Sequence, residues 1–192
     1  IMSKTILYFH GFKSSSDSGK AQDFKKFISE TTKNTKIIIP DLNDNFQKAH
    51  QQIKELISNH GPNIVFMGSS LGGYYALYFS QLHDVEAVLI NPAIPPLKDF
   101  EIHLGENENY ATKNKFELTT EDISFIRSLH HKKIKKPENI LILLESGDEI
   151  LDYIATTKYF AASYLDIIYG GDHSYTSLKD KYIKVKNFLK IT

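Results

Sequence analysis

The sequence predicts an α/β fold, a mostly parallel sheet of about six strands with helices on both faces and a small insertion past the middle of the chain. Three observations predict it. Short runs that are apolar at nearly every position, such as KIIIP (36–40) and NILILLE (139–145), have the composition of strands buried on both faces. Between these runs, apolar residues recur at three- and four-residue spacing, the period of a helix. The two patterns alternate along most of the chain, which builds a parallel sheet covered by helices.

The elements follow in order. KTILYFH (4–10) is a strand that stops at Gly11, and SGKAQDFKKFISET (18–31) is a helix with Ala21, Phe24, Phe27 and Ile28 on one face and Ser18 as its N-cap. KIIIP ends at a proline. DNFQKAHQQIKELISNHG (44–61) carries Phe46, Ala49, Ile53, Leu56 and Ile57 at helical spacing and closes on Gly61. NIVFMG (63–68) and EAVLIN (86–91) are the next two strands. NILILLE, a helix over 152–162, YLDIIYG (164–170) and a closing helix over 176–190 complete the series. Residues 92–138 break the rhythm with proline, asparagine and charge. They read as a lid-like insertion over the carboxyl edge of the sheet, with TTEDISFIRSLHH (119–131) as its clearest helix. The whole of 1–192 is expected to form one domain.

Composition removes several classes of function. Apolar residues make up 41% and charged residues 24%, and 23 basic residues balance 23 acidic ones. No global field therefore recruits nucleic acid or an anionic membrane. No apolar run approaches the roughly 20 residues of a membrane span, and no secretory signal pattern opens the sequence. With no cysteine there is no disulfide, thiolate nucleophile or cysteine-held zinc. These features fit a cytoplasmic protein.

Chemistry is expected at the carboxyl ends of the strands, where open α/β sheets bind ligands. VFMGSSLGGYYAL (65–77) runs from an apolar strand into Gly68-Ser69-Ser70-Leu71-Gly72 and then into an apolar, aromatic helix. This is the G-x-S-x-G nucleophile elbow of an α/β-hydrolase fold in its required strand–turn–helix context. The turn is so tight that residues two positions either side of the serine tolerate almost no side chain. Ser70, not Ser69, has glycine at both of those positions.

A serine needs a base, and the base needs a group to hold its tautomer. His173, in YGGDHSY, follows the last strand; Asp148, in ESGDEILDY, follows the strand before it. The chain order Ser, Asp, His is that of this fold. Asp152 stands where a helix N-cap is wanted, and Asp172 is adjacent to His173 on a loop, so Asp148 is the preferred acid. Leu71, directly after the nucleophile, and Phe12, in FHGFKSSS after the first strand, are the expected backbone donors of an oxyanion hole. Gly11, Asn91, Pro92 and Tyr110 are the candidate substrate-contacting positions, on the entry loop and on NPAIPP and GENENYATKNKF of the insertion.

Taken together, YFHGFKSSSDSGKA, GSSLGGYYA, NPAIPP, LGENENY, GDEILDY and GGDHSY resemble the successive motifs of the YqiA/YcfP-type bacterial esterases, within the α/β-hydrolase superfamily. The resemblance runs from about Tyr8 to the end of the chain. It implies hydrolysis of a small-molecule carboxylic ester, with acyl-CoA thioesters as a second substrate class, and no cofactor. Ser70, Asp148 and His173 stand at its triad positions.

Other readings fit less well. A non-catalytic binding protein of this fold would be expected to lack one of the three residues. An acyltransferase or peptidase would use the same acyl-serine chemistry, and a dehalogenase would need a carboxylate at position 70. HHKKIKKP (130–137) lacks the interleaved aromatics of a nucleic-acid surface. His130 and His131 are adjacent and have no carboxylate cluster to complete a metal site, so no metal is expected.

Overall fold

The structure is a computed structural model that describes residues 3–192; Ile1 and Met2 of the expected 1–192 unit lie outside the described residues. Its strands in chain order are β1 (Lys4–Phe9), β2 (Thr35–Ile38), β3 (Ile64–Ser69), β4 (Ala87–Ile90), the pair β5 (Gly105–Glu108) and β6 (Lys115–Leu118), then β7 (Ile140–Glu145) and β8 (Tyr164–Ile168). Six of them form one sheet in the order β2-β1-β3-β4-β7-β8, with every neighbouring pair parallel. The helices are α1 (Gly19–Thr31), α2 (Phe46–His60), α3 (Leu71–His83), α4 (Thr120–Ser128), α5 (Tyr153–Tyr159) and α6 (Tyr182–Phe188).

Alternation along β1 divides the interior in two. Ile6 and Tyr8 pack with Ala21, Phe24 and Ile28 of α1 and Val185 of α6. Leu7 and Phe9 point the other way, into Phe46, Ala49 and Ile53 of α2 and Tyr75 and Phe79 of α3. A fully buried Leu, Ile or Phe stabilises by roughly 1.5–3 kcal/mol, against about 0–1 kcal/mol for an exposed ion pair. The two apolar layers therefore hold the sheet.

Connections from β1 go outward to β2, then return past β1 to β3, so the strand order reverses between β1 and β3. This is the switch point at which two loops diverge and leave a crevice.

Several elements differ from expectation. Ser18 occupies the N-cap of α1 but its side chain makes no capping bond, whereas Asn45 caps α2 by accepting from the Lys48 amide at 3.1 Å. The closing helix divides into a 3-10 segment, Thr176–Lys181, and α6. Its start is fixed by Tyr175, whose ring is buried and whose φ is 53°.

The insertion contains a hairpin, β5–β6, that the sequence does not signal: only Phe116 and Leu118 on β6 supply apolar anchors. Its tip is organised by Asn109, which is buried. Oδ1 accepts from the Ala111 and Thr112 amides at 2.9 and 3.0 Å, and Nδ2 donates to the Ser14 carbonyl and to Asp44 at 3.0 and 2.9 Å. Helix α4 starts on a reciprocal Thr119–Asp122 capping box. Arg127 near its end donates to the Pro96 and Leu97 carbonyls and pairs with Glu101. Among the described residues no helix is long and apolar enough to cross a membrane.

Candidate active site

The elbow lies at the switch point. Ser70 sits between β3 and α3 with φ 55° and ψ −119°, a backbone conformation that L-residues rarely adopt. Its amide donates to the Ile90 carbonyl at 3.0 Å and its carbonyl accepts from Gly73 and Ala93, both at 3.0 Å, so the turn is tied to the end of β4. The flanking glycines are required by close approach. A Cβ on Gly68 would stand 2.0 Å from the Gly72 carbonyl oxygen, and one on Gly72 would stand 2.0 Å from that of Phe9.

The structure brings Ser70, His173 and Asp148 together from the ends of β3, β8 and β7. His173 Nε2 is 3.0 Å from Ser70 Oγ, and His173 Nδ1 is 2.8 Å from Asp148 Oδ2. The other carboxylate oxygen of Asp148 accepts from the Ile150 and Leu151 amides at 2.9 and 2.8 Å. Burial alone would push this carboxyl up. The His173 ring and the two amides outweigh it and hold the group below the usual carboxylate range. Asp148 is thus a fixed anion that accepts from Nδ1 and leaves Nε2 facing the serine.

The rival carboxylates are engaged elsewhere. Asp152 caps α5 by accepting from the Ile154 amide at 2.9 Å, and Asp172 accepts from the Ser174 amide at 2.8 Å. Glu149 accepts from the His173 amide at 3.0 Å, anchoring the backbone of that residue.

On the other side of the crevice, Gly11 follows β1, and a Cβ there would touch Ser70 Cβ at 3.4 Å. His10, just before it, is buried. The Leu42 amide donates to His10 Nε2 at 2.9 Å, which leaves Nδ1 protonated to donate to the Gly11 carbonyl at 2.8 Å. Burial pushes this imidazole below the ordinary histidine range, the direction that keeps it neutral in that role. Phe12 comes next. Its ring packs against Phe46, Phe100, His103 and Phe116, with centroids 5.2 to 6.0 Å away. Leu71 is the first residue of α3, so its amide is one that a helix does not bond internally.

The remaining candidate positions differ in kind. Asn91 is buried; Nδ2 donates to the Asp172 and His173 carbonyls at 3.0 and 3.2 Å, and Oδ1 accepts from the Glu145 amide at 3.0 Å. It braces the loop that carries His173 against the ends of β4 and β7. Pro92 is also buried and packs on the elbow helix: a Cβ on Gly73 would lie 2.8 Å from Pro92 Cβ. Tyr110 is 70% exposed at the hairpin tip, where its amide donates to the Lys13 carbonyl at 2.9 Å. Beside it a polar cleft of about 510 Å³ opens between the 14–15 loop, the 41–45 loop and the hairpin, with Asp44, Lys48 and Phe116 among its walls.

Two residues that matter at the site were not singled out from sequence. Glu145 is fully buried at the end of β7 and accepts from the Asp172 amide at 2.7 Å and the Ser177 hydroxyl at 2.6 Å. A carboxylate closing the otherwise apolar ILILLE was the available signal. Lys20, on the first turn of α1, reaches Ser69 Oγ at 2.9 Å and the Ser174 carbonyl at 2.6 Å, and nothing in its local sequence marks it. Among the described residues no cluster of three or more His, Cys, Asp or Glu is placed to hold a metal. His131 stacks on Tyr78, and His130 bonds the Arg127 carbonyl.

Residues 5–190 match the profile of an uncharacterised protein family, UPF0227, which covers nearly the whole chain. The chain belongs to the UPF0227 family, the YqiA/YcfP-type family that its motifs resemble. Solved structures show that this UPF0227 member has the α/β-hydrolase fold. Alpha/beta hydrolase domain-containing protein 10 from mouse is 17% identical with a TM-score of 0.71, over 99% of this chain and 92% of that one. Est1E from Butyrivibrio proteoclasticus is 16% identical with a TM-score of 0.67, over 98% and 88%. A structure from a study of the metagenome-derived lipolytic enzymes LipS and LipT is 12% identical with a TM-score of 0.65, over 98% and 94%.

Proposed function

We propose that this UPF0227 protein is a serine hydrolase that cleaves small carboxylic esters, acyl-CoA thioesters among them, through an acyl-Ser70 intermediate. The observation that carries the reading is the continuous relay from Ser70 Oγ through both ring nitrogens of His173 to Asp148, at 3.0 and 2.8 Å. Ser70 Oγ attacks the substrate's carbonyl carbon while its proton passes to His173 Nε2. The negative charge that develops on the carbonyl oxygen is held by the Phe12 and Leu71 amides, with the positive end of α3 behind Leu71. Collapse of the tetrahedral intermediate expels the alcohol or thiol, which takes the proton from the imidazolium. Water then repeats the sequence on the acyl-serine and releases the acid. Asp148 stays ionised throughout and stabilises the imidazolium.

Gly11 gives the substrate backbone-close access to Ser70, and Tyr110 lines the entrance from the hairpin. Asn91 and Pro92 serve the same site indirectly, by fixing the base loop and the elbow helix. We assign the reaction to the cytoplasm on the cysteine-free composition, and to a single domain in which residues 92–138 cover the crevice.

The test is a panel of oxoesters and acyl-CoA thioesters graded by chain length, run on the wild type and on Ser70→Ala. Turnover of at least one class by the wild type, lost in the variant, supports the reading. Turnover that survives in Ser70→Ala contradicts it.

A further inference from the structure

The nucleophile and its base are carried by strands that are not neighbours: β4 and β7 lie between β3, which bears the elbow, and β8, which bears the His173 loop. Their 3.0 Å contact therefore depends on whatever sets the loop against the elbow. Asn91 supplies one strut, from the end of β4. The second comes from outside the sheet. Lys20 Nζ donates to Ser69 Oγ, one residue before the nucleophile, and to the Ser174 carbonyl, one residue after the base. One side chain thereby joins the immediate neighbours of both reacting groups.

We propose that Lys20 is a positioning residue for the nucleophile–base pair, holding the His173 loop on the elbow. The proposal rests on the hydrolase reading above.

The chemistry suits a lysine. An ammonium has three donors and no acceptor, and here it faces a hydroxyl oxygen and a carbonyl oxygen. The charged groups that act on it are Glu145 at the end of β7 and Asp172 in the loop after β8. Burial pulls the ammonium down to about 8, against the opposing pull of Glu145 and Asp172. Buried there, it meets little competition from water for its bonds to Ser69 and Ser174, and breaking either would leave a buried donor unpaired.

Fluorophosphonate labelling of Ser70 tests this without knowledge of the substrate. Its maximal rate and half-saturating reagent concentration are measured in the wild type, Lys20→Met and Lys20→Gln, with thermal unfolding as the control for folding. In Lys20→Met the maximal rate is expected to fall about tenfold through misplacement of the pair, while the half-saturating concentration and the melting temperature stay near those of the wild type. Lys20→Gln, neutral and still a donor, should recover part of the rate, and it carries the comparison alone if the methionine variant does not fold. A maximal rate that is unchanged without the ammonium, or that falls only in step with the melting temperature, overturns the proposal. A wild type in which Ser70 is not labelled at all overturns the hydrolase reading, and this proposal with it.

Discussion

The carboxyl edge of the sheet and the 92–138 segment are both rich in polar side chains, but they hold their bonds differently. At the sheet edge the bonding groups are buried: Asn91 and Glu145 are 1% and 0% exposed, and the Asp148 side chain 3%. Each joins strand ends far apart in sequence. In the insertion, the Arg127–Glu101 pair that ties α4 to the preceding turn is 31% and 51% exposed. Buried bonds are expensive to leave unmade, whereas exposed ion pairs are screened and worth little. The region that would carry the chemistry is thus tied together by buried bonds, whereas in the insertion such bonds are confined to Asn109 and the start and body of α4.

The largest effects are expected at the edge. Ser70→Ala or His173→Ala should reduce ester turnover to the residual about 10³- to 10⁴-fold over water that binding and the oxyanion donors alone supply. Asp148→Asn should follow closely, about 10⁴-fold in kcat, because an amide in place of the carboxylate favours the wrong imidazole tautomer. Asp152→Asn should be near neutral, since asparagine caps a helix as well as aspartate. Equal losses from the two aspartate variants would dissolve the distinction between relay and cap.

The pH profile sharpens the same point. Only neutral His173 can accept the Ser70 proton, so kcat/KM for a non-ionising ester should fall on acidification, governed by one proton. Asp148, held below the usual carboxylate range, remains ionised through that limb. A limb of second order would mean that a second group titrates with the base. His10 is the group to suspect, because protonating its Nε2 would displace the Leu42 amide and release the Gly11–Phe12 loop.

Smaller effects are expected in the insertion. Asn109→Ala removes four bonds at a buried position, so denaturant titration should register a loss of roughly 1–3 kcal/mol. Hydrogen exchange should rise in both the hairpin and the 11–16 loop, because Nδ2 bonds the Ser14 carbonyl. Exchange confined to the hairpin would separate the insertion from the 11–16 loop. Glu101→Gln should change least of all, leaving kcat/KM and the melting temperature almost where they were; a marked loss there would reverse the contrast between the two regions.

How far each region is legible in the sequence follows the same division. The sheet, the helices on its faces and the alignment of Ser70, Asp148 and His173 at three strand ends could be read because each depends on local pattern: an apolar run, then a chemistry-bearing residue just beyond it. The hairpin could not, because GENE and KFEL offer almost no apolar alternation and their pairing is anchored by Asn109, whose partners lie 65 and 95 residues away. The contacts of Lys20 and of Asn91 could not be read for the same reason. Lys20 looks like any lysine on a helix's first turn, and Asn91 reads as a loop residue near substrate. Their side-chain bonds are made to residues 49 to 154 positions away.

The central claim is that Ser70 is the nucleophile, and the most direct measurement is the site of covalent capture. After reaction with a serine-directed fluorophosphonate, peptide mapping by mass spectrometry of the wild type, Ser70→Ala and Ser69→Ala should locate one adduct on Ser70. It should be absent from Ser70→Ala and retained in Ser69→Ala. An adduct on Ser69, or no adduct on wild-type protein that hydrolyses esters, would contradict the account.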